Sequence, residues 1–109
     1  MSNPFYLTNP AAPQTVTGNC PNIAAGNMVQ GESPTFEAVL TNTTSPAATV
    51  LIYGSVTGLA WTLLGTLSPY GALGVDSFTP QFAINYCQYM ASVQSISGAL
   101  AGVTVAVGW

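Results

Sequence analysis

Residues 50–67 read VLIYGSVTGLAWTLLGTL, and the fold turns on how they are read. They contain no charged residue, and none occurs from Ala38 through Val75. By hydropathy alone the stretch resembles a membrane span. A spanning helix, however, needs about 20 predominantly apolar residues. Here Ser55, Thr57, Gly58, Thr62, Gly65 and Thr66 would all have to enter the lipid. No Lys or Arg flanks either end to anchor or orient such a helix. Gly58 lies midway, next to Thr57 and downstream of β-branched residues, which suits a hairpin turn between two strands. The stretch is therefore expected to be two strands that turn at Thr57–Ala60.

The same pattern extends outward. From Thr35 onward, short apolar segments recur between Gly, Pro, Ser and Asn, the spacing of an all-β domain. In TFEAVLT, Phe36, Ala38 and Leu40 share one face, with Glu37, Val39 and Thr41 on the other. In ATVLIYGSV, Val50, Ile52 and Val56 oppose Leu51 and Tyr53. In WTLLGTL, Trp61, Leu63 and Leu67 alternate with Thr62, Leu64 and Thr66. SPYG turns the chain into ALGVDSF. INYCQYMASVQSI is long for one strand and is expected to bend or bulge. GVTVAVGW sets Val103, Val105, Val107 and Trp109 against Thr104, Ala106 and Gly108. Strict alternation is the mark of a half-buried strand. No helix is expected beyond a short turn around residues 79–84.

Residues 1–34 differ. They are rich in Pro, Asn, Gly, Thr and Ser, with dense turn signals and weak periodicity. They read as an extended N-terminal arm with one or two short strands, near Thr15–Thr17 and Met28–Gln30. The expected fold is a single antiparallel β-sandwich over residues 35–109, jelly-roll-like or Ig-like, with that arm attached. Phe5 and Tyr6 lack an evident partner within the domain and are expected to anchor on a neighbouring subunit. Trp109 is expected either to close the core or to cap an interface. On this reading, deleting residues 1–13 should leave the sandwich folded.

Composition narrows the function. The chain has 109 residues, no Lys, Arg or His, and only Glu32, Glu37 and Asp76 as acids. Charged residues make up 3%, against about 25% in ordinary domains. Nucleic-acid binding relies on Lys and Arg to neutralise phosphates, so it is not expected. Attraction to an anionic membrane surface fails for the same reason. No imidazole or side-chain amine is present to act as a base or to form a Schiff base. No cation is available to lower the pKa of Cys20 or Cys87. Three acids are too few for a calcium site, and the cysteines lack zinc-ligand spacing. No enzyme activity, cofactor or metal is expected. Whether Cys20 and Cys87 pair stays open; two small buried side chains are the simpler reading. Asn42-Thr43-Thr44 matches a glycosylation sequon, and the N-terminus has no secretory-signal pattern. So charge-poor a surface is expected to work packed against neighbouring protein, because apolar, charge-depleted surfaces are what protein contacts bury.

Gly54-Ser55, Trp61, Leu64-Gly65-Thr66-Leu67, Tyr89, Val93, Ser97-Gly98 and the Val/Thr alternation of residues 103–107 together resemble a small β-sandwich of tailed-bacteriophage virion proteins. W-x-L-L-G-T-L is the sharpest part, and the likeness covers residues 35–109. Thr57 stands where that pattern has an acidic turn residue, and the basic residues of its aromatic strand are missing. The resemblance implies a head decoration or cement protein on the capsid surface. It would bind the major capsid protein and sister copies, as a homo-oligomer and commonly a trimer. A tail, neck or fibre component with the same module is the first alternative. The second is a carbohydrate-binding adhesion module, since galactose-binding-like sandwiches have a similar shape. Its binding edge would comprise the loops Thr57–Ala60 and Ser68–Gly71, with Thr57, Gly58 and Tyr70.

Overall fold

A computed structural model of the chain describes residues 4–25, 34–41, 46–80, 86–98 and 101–108. Among these residues there is no helix. Nine strands form: β1 Phe5–Tyr6, β2 Gly18–Asn19, β3 Ala24–Ala25, β4 Thr35–Leu40, β5 Ala47–Ser55, β6 Thr62–Leu67, β7 Val75–Phe78, β8 Gln88–Ser97 and β9 Val103–Gly108. They make two antiparallel sheets packed against each other. Sheet A has the order β1-β9-β4-β7, and sheet B has the order β2-β8-β5-β6 with β3 also on β8.

The topology separates the two sandwich types. β2 and β3 occupy one interrupted edge position, since both pair with β8. Apart from them, only β5 and β6 are sequence neighbours within one sheet; every other connection crosses between sheets. An Ig sandwich keeps several consecutive strands together in a sheet. Repeated crossing with eight strand positions is the jelly-roll arrangement. The stretch 50–67 is thus the sole same-sheet hairpin among the described strands.

Alternation builds the core where the strands are regular. Phe36, Ala38 and Leu40 of β4 and Val103, Val105 and Val107 of β9 are fully buried. They face Val50, Ile52, Leu67, Ala91 and Val93 of sheet B. β8 carries the expected irregularity: its pairing with β5 slips so that Gln94 is extra.

Two face assignments change. Val56 is exposed, because β5 ends at Ser55, whose buried Oγ accepts a hydrogen bond from the Gly58 amide at 2.7 Å. Gly58 takes φ +82°, a left-handed conformation that glycine tolerates best. In β6, Leu63 points out and Leu64 packs on the core, the reverse of simple alternation. The register explains this: Ile52 pairs with Gly65 but Tyr53 with Leu63, leaving Leu64 as the extra residue of a β-bulge.

Residues 4–25 lie along the sandwich. β1 pairs with β9, Gln14 bridges to Val103, and Leu7, Cys20 and Ala24 enter the core. The strand expected near Thr15–Thr17 is displaced: Gln14 makes a single bridge and strand pairing starts at Gly18. The Gln14 side-chain amide donates to the Val16 and Gly18 carbonyls, both at 3.0 Å, and holds this segment as a turn. The strand expected at Met28–Gln30, the sequon at Asn42, Glu32, residues 81–84 and Trp109 lie outside the described residues.

Strand glycines make hollows for aromatic rings. A Cβ on Gly65 would sit 2.7 Å from the Phe78 ring, and one on Gly54 would sit 2.8 Å from the Tyr86 ring. Gly65→Ala is therefore expected to cost about 1–3 kcal/mol by overpacking. In a Phe78→Leu background the cost should shrink, because the obstructing ring is gone. Equilibrium denaturation of the double-mutant cycle measures this; simple additivity would show that the contact is not the cause.

Candidate functional site

The loops gather at two ends of the sandwich. At one end the connections before β2, β5, β7 and β9 interlock. The Gly71 amide donates to the Pro46 carbonyl at 2.8 Å, and Ala48 donates to Pro69 at 3.1 Å. Thr41 donates to Gly102 through both its amide and its Oγ1, and Gly98 lies against Pro46. Tyr70 stands here, 79% exposed. The opposite end holds the β5–β6 turn. Its Thr57 Oγ1 accepts from the Leu59 amide at 3.1 Å. Thr57 and Gly58 are therefore separated from Tyr70 by the length of β6, about 20 Å at 3.3 Å per residue. The loops expected to form one binding edge lie at opposite ends, because the strand between them runs straight across the molecule.

Phe5 and Tyr6 lie on a different flank. Their backbones pair with Val107 and Ala106, and their side chains are 41% and 38% exposed. Asn22 ties this flank together. Its side-chain amide donates to the Tyr6 and Thr8 carbonyls at 3.2 and 3.3 Å, and its backbone amide donates to Leu7. Phe5 and Tyr6 are thus edge residues of sheet A with partly exposed rings.

The β6/β7 flank has a different character. Here the free edges of sheets B and A lie side by side, joined by the Asp76 carboxylate, which accepts from the Ser68 amide at 2.8 Å and the Ser77 amide at 2.9 Å. Leu59 at the hairpin tip is 90% exposed and Leu63 on β6 is 53% exposed. Leu63 continues inward as an outer-face row with Tyr53 and Met90. The described charges are Glu37 on β4 and Asp76 on β7, both in sheet A. Sheet B and its hairpin carry no charged side chain among the described residues. This charge asymmetry was present in the sequence, but it became a surface only once strand order assigned each acid to a sheet.

Among the described residues no group of three or more His, Cys, Asp or Glu comes together, and no helix is long and apolar enough to cross a membrane. Both cysteines are free thiols. Cys20 is buried beside β8, and burial pushes its pKa up to about 11. At pH 8 such a thiol is about 0.1% thiolate, the reactive form. Cys87 is only half-buried. A native protein treated with a thiol reagent at pH 8 should thus label at Cys87 and spare Cys20 until denaturant is added. Equal labelling of both in the native state, read by mass spectrometry, would contradict this.

No family model, curated protein or solved structure matches the chain.

Proposed function

We propose that the chain is a structural assembly subunit, a tailed-phage virion protein of the head decoration type that lies against the major capsid protein. The observation that carries this reading is the outer surface of sheet B, charge-free among the described residues, where exposed Leu59 and Leu63 at the hairpin run on into half-buried Tyr53 and Met90. Protein contacts bury surfaces of this kind, depleted in charge and supplied with aromatic, Met and aliphatic groups. The jelly-roll strand order supports it, since that order is common to capsid and lectin domains. So does the resemblance of residues 35–109 to virion sandwiches. The carbohydrate reading has less support, because its two loops stand at opposite ends of β6.

The test is location. Virions of the source phage, labelled with an antibody to this chain and viewed by electron microscopy, should show it over the head lattice in many copies. A few copies at the tail would move the assignment to the tail or neck. Absence from purified particles would sink the virion reading. Glycan-array binding by the isolated chain would favour the adhesion module.

A further inference from the structure

Among the described residues, ten large apolar side chains are exposed, and six of them fall within residues 56–75: Val56, Leu59, Leu63, Tyr70, Leu73 and Val75. All six line β6, its two flanking loops or the start of β7, so they mark one flank. That flank contains an edge strand, Thr62–Leu67, with a strand partner on one side only among the described residues. Edge strands expose unpaired backbone donors and acceptors, and soluble proteins guard them with Lys, Pro or inward charges. β6 has none of these. Among the described residues its guard within Thr62–Leu67 is the bulge at Leu64, and just beyond the strand the Asp76 carboxylate takes up the Ser68 amide.

We propose that β6 pairs with β6 of a second copy of this chain, antiparallel about a two-fold axis, continuing sheet B across both molecules. The bulge supplies the argument for a second copy. It places Leu63 outside, Leu64 and Gly65 inside and Thr66, opposite Leu51, outside. That pattern reads the same from either end. An antiparallel copy centred between Leu64 and Gly65 sets Leu63 beside Thr66 on the outer face and Leu64 beside Gly65 on the inner face. Residues opposite each other in an antiparallel pair share a face, so the match is self-complementary, as an isologous contact requires. Electrostatics agrees. β6 brings no charge to the contact, Glu37 is on the outer face of the other sheet, and the Asp76 carboxylate is already held by two amides. A strongly charged partner would find no counter-charge on this edge.

Sedimentation equilibrium of the full chain should show a monomer–dimer equilibrium. Leu63→Lys should weaken it at least tenfold, since each dimer would then carry two like charges at the seam. Thr66→Lys should act alike. Both residues are exposed or at the outer face, so circular dichroism should stay native. Val16→Lys, on an exposed loop of the opposite flank, should leave association unchanged. A wild-type chain that stays monomeric up to about 1 mM overturns the proposal. So does a dimer or larger oligomer that survives both lysine variants, or one that only Val16→Lys disrupts. The inference does not rest on the virion reading: a self-paired chain found on no particle would keep it and discard the other.

Discussion

A chain lacking residues 1–13 should fail to fold. The deletion removes Leu7, which is fully buried among the sheet-A valines. Truncating a core leucine alone costs about 2–5 kcal/mol. It also removes Thr8, fully buried, whose Oγ1 accepts from the Val105 amide at 3.1 Å. Orphaning a buried donor costs about 1–3 kcal/mol. The backbone bond from the Leu7 amide to the Val105 carbonyl and the packing of Pro13 over Gly102 go as well. The losses together reach the whole stability of a typical domain, about 5–15 kcal/mol. Far-UV circular dichroism should show loss of the β spectrum, and amide exchange should show no protected core. A truncated chain that kept a native spectrum and melted within a few degrees of the full chain would refute this. The expectation that the sandwich folds without residues 1–13 came from composition, and the buried Leu7 argues against it. Deletion therefore cannot test whether Phe5 and Tyr6 anchor a neighbour. Phe5→Ala and Tyr6→Ala can, since both rings are partly exposed and the backbone pairs remain.

The core was legible wherever a strand kept strict alternation. β4 and β9 show this: Phe36, Ala38, Leu40 and Val103, Val105, Val107 were assigned to one face by period alone, and all six are buried. The hairpin over residues 50–67 was legible too, because Gly58 marks its turn. β6 was not, since a single extra residue at Leu64 inverts everything upstream of it, and nothing in TLLGTL announces the bulge. It accompanies tertiary contacts that no local pattern shows: Gly54 and Gly65 leave space that Tyr86 and Phe78 fill. β1 to β3 were hidden for another reason. Pairs of two residues have no period to detect, and they exist only because β8 and β9 offer edges. Strand order was likewise beyond local pattern, and with it the placement of the site. Thr57 and Tyr70 are thirteen residues apart in sequence, close enough to suggest neighbouring loops. One strand between two loops puts them at opposite ends; only an even number of strands would bring them together.

Phe36→Ala should be the most damaging single substitution in the sandwich. Phe36 sits on β4, paired on one side with Val107 and on the other with Phe78. Its ring stacks on Phe78 at 5.7 Å and meets Tyr89 edge-on at 5.3 Å, and Tyr89 in turn meets Tyr86 at 6.3 Å. The contact with Tyr89 crosses from sheet A to sheet B, so this ring joins the layers. Truncating a buried Phe costs about 3–5 kcal/mol, which here removes a large fraction of total stability. Each kcal/mol lowers the melting temperature of a domain this size by roughly 4–8 °C. Phe36→Leu keeps most of the volume and loses only the ring geometry, worth about 0.5–1.5 kcal/mol per aromatic pair; it should therefore fall well short of the alanine. If Phe36→Ala unfolds within about 1 kcal/mol of wild type in urea, the cluster is not what couples the sheets. The consequence reaches the surface. Phe78 fills the hollow at Gly65, so once Phe36 is gone it has room to move, and the hold on the bulge that turns Leu63 outward loosens. Near-UV circular dichroism should report the loss of ring packing. Any association through β6 should weaken with it, although Phe36 is itself fully buried.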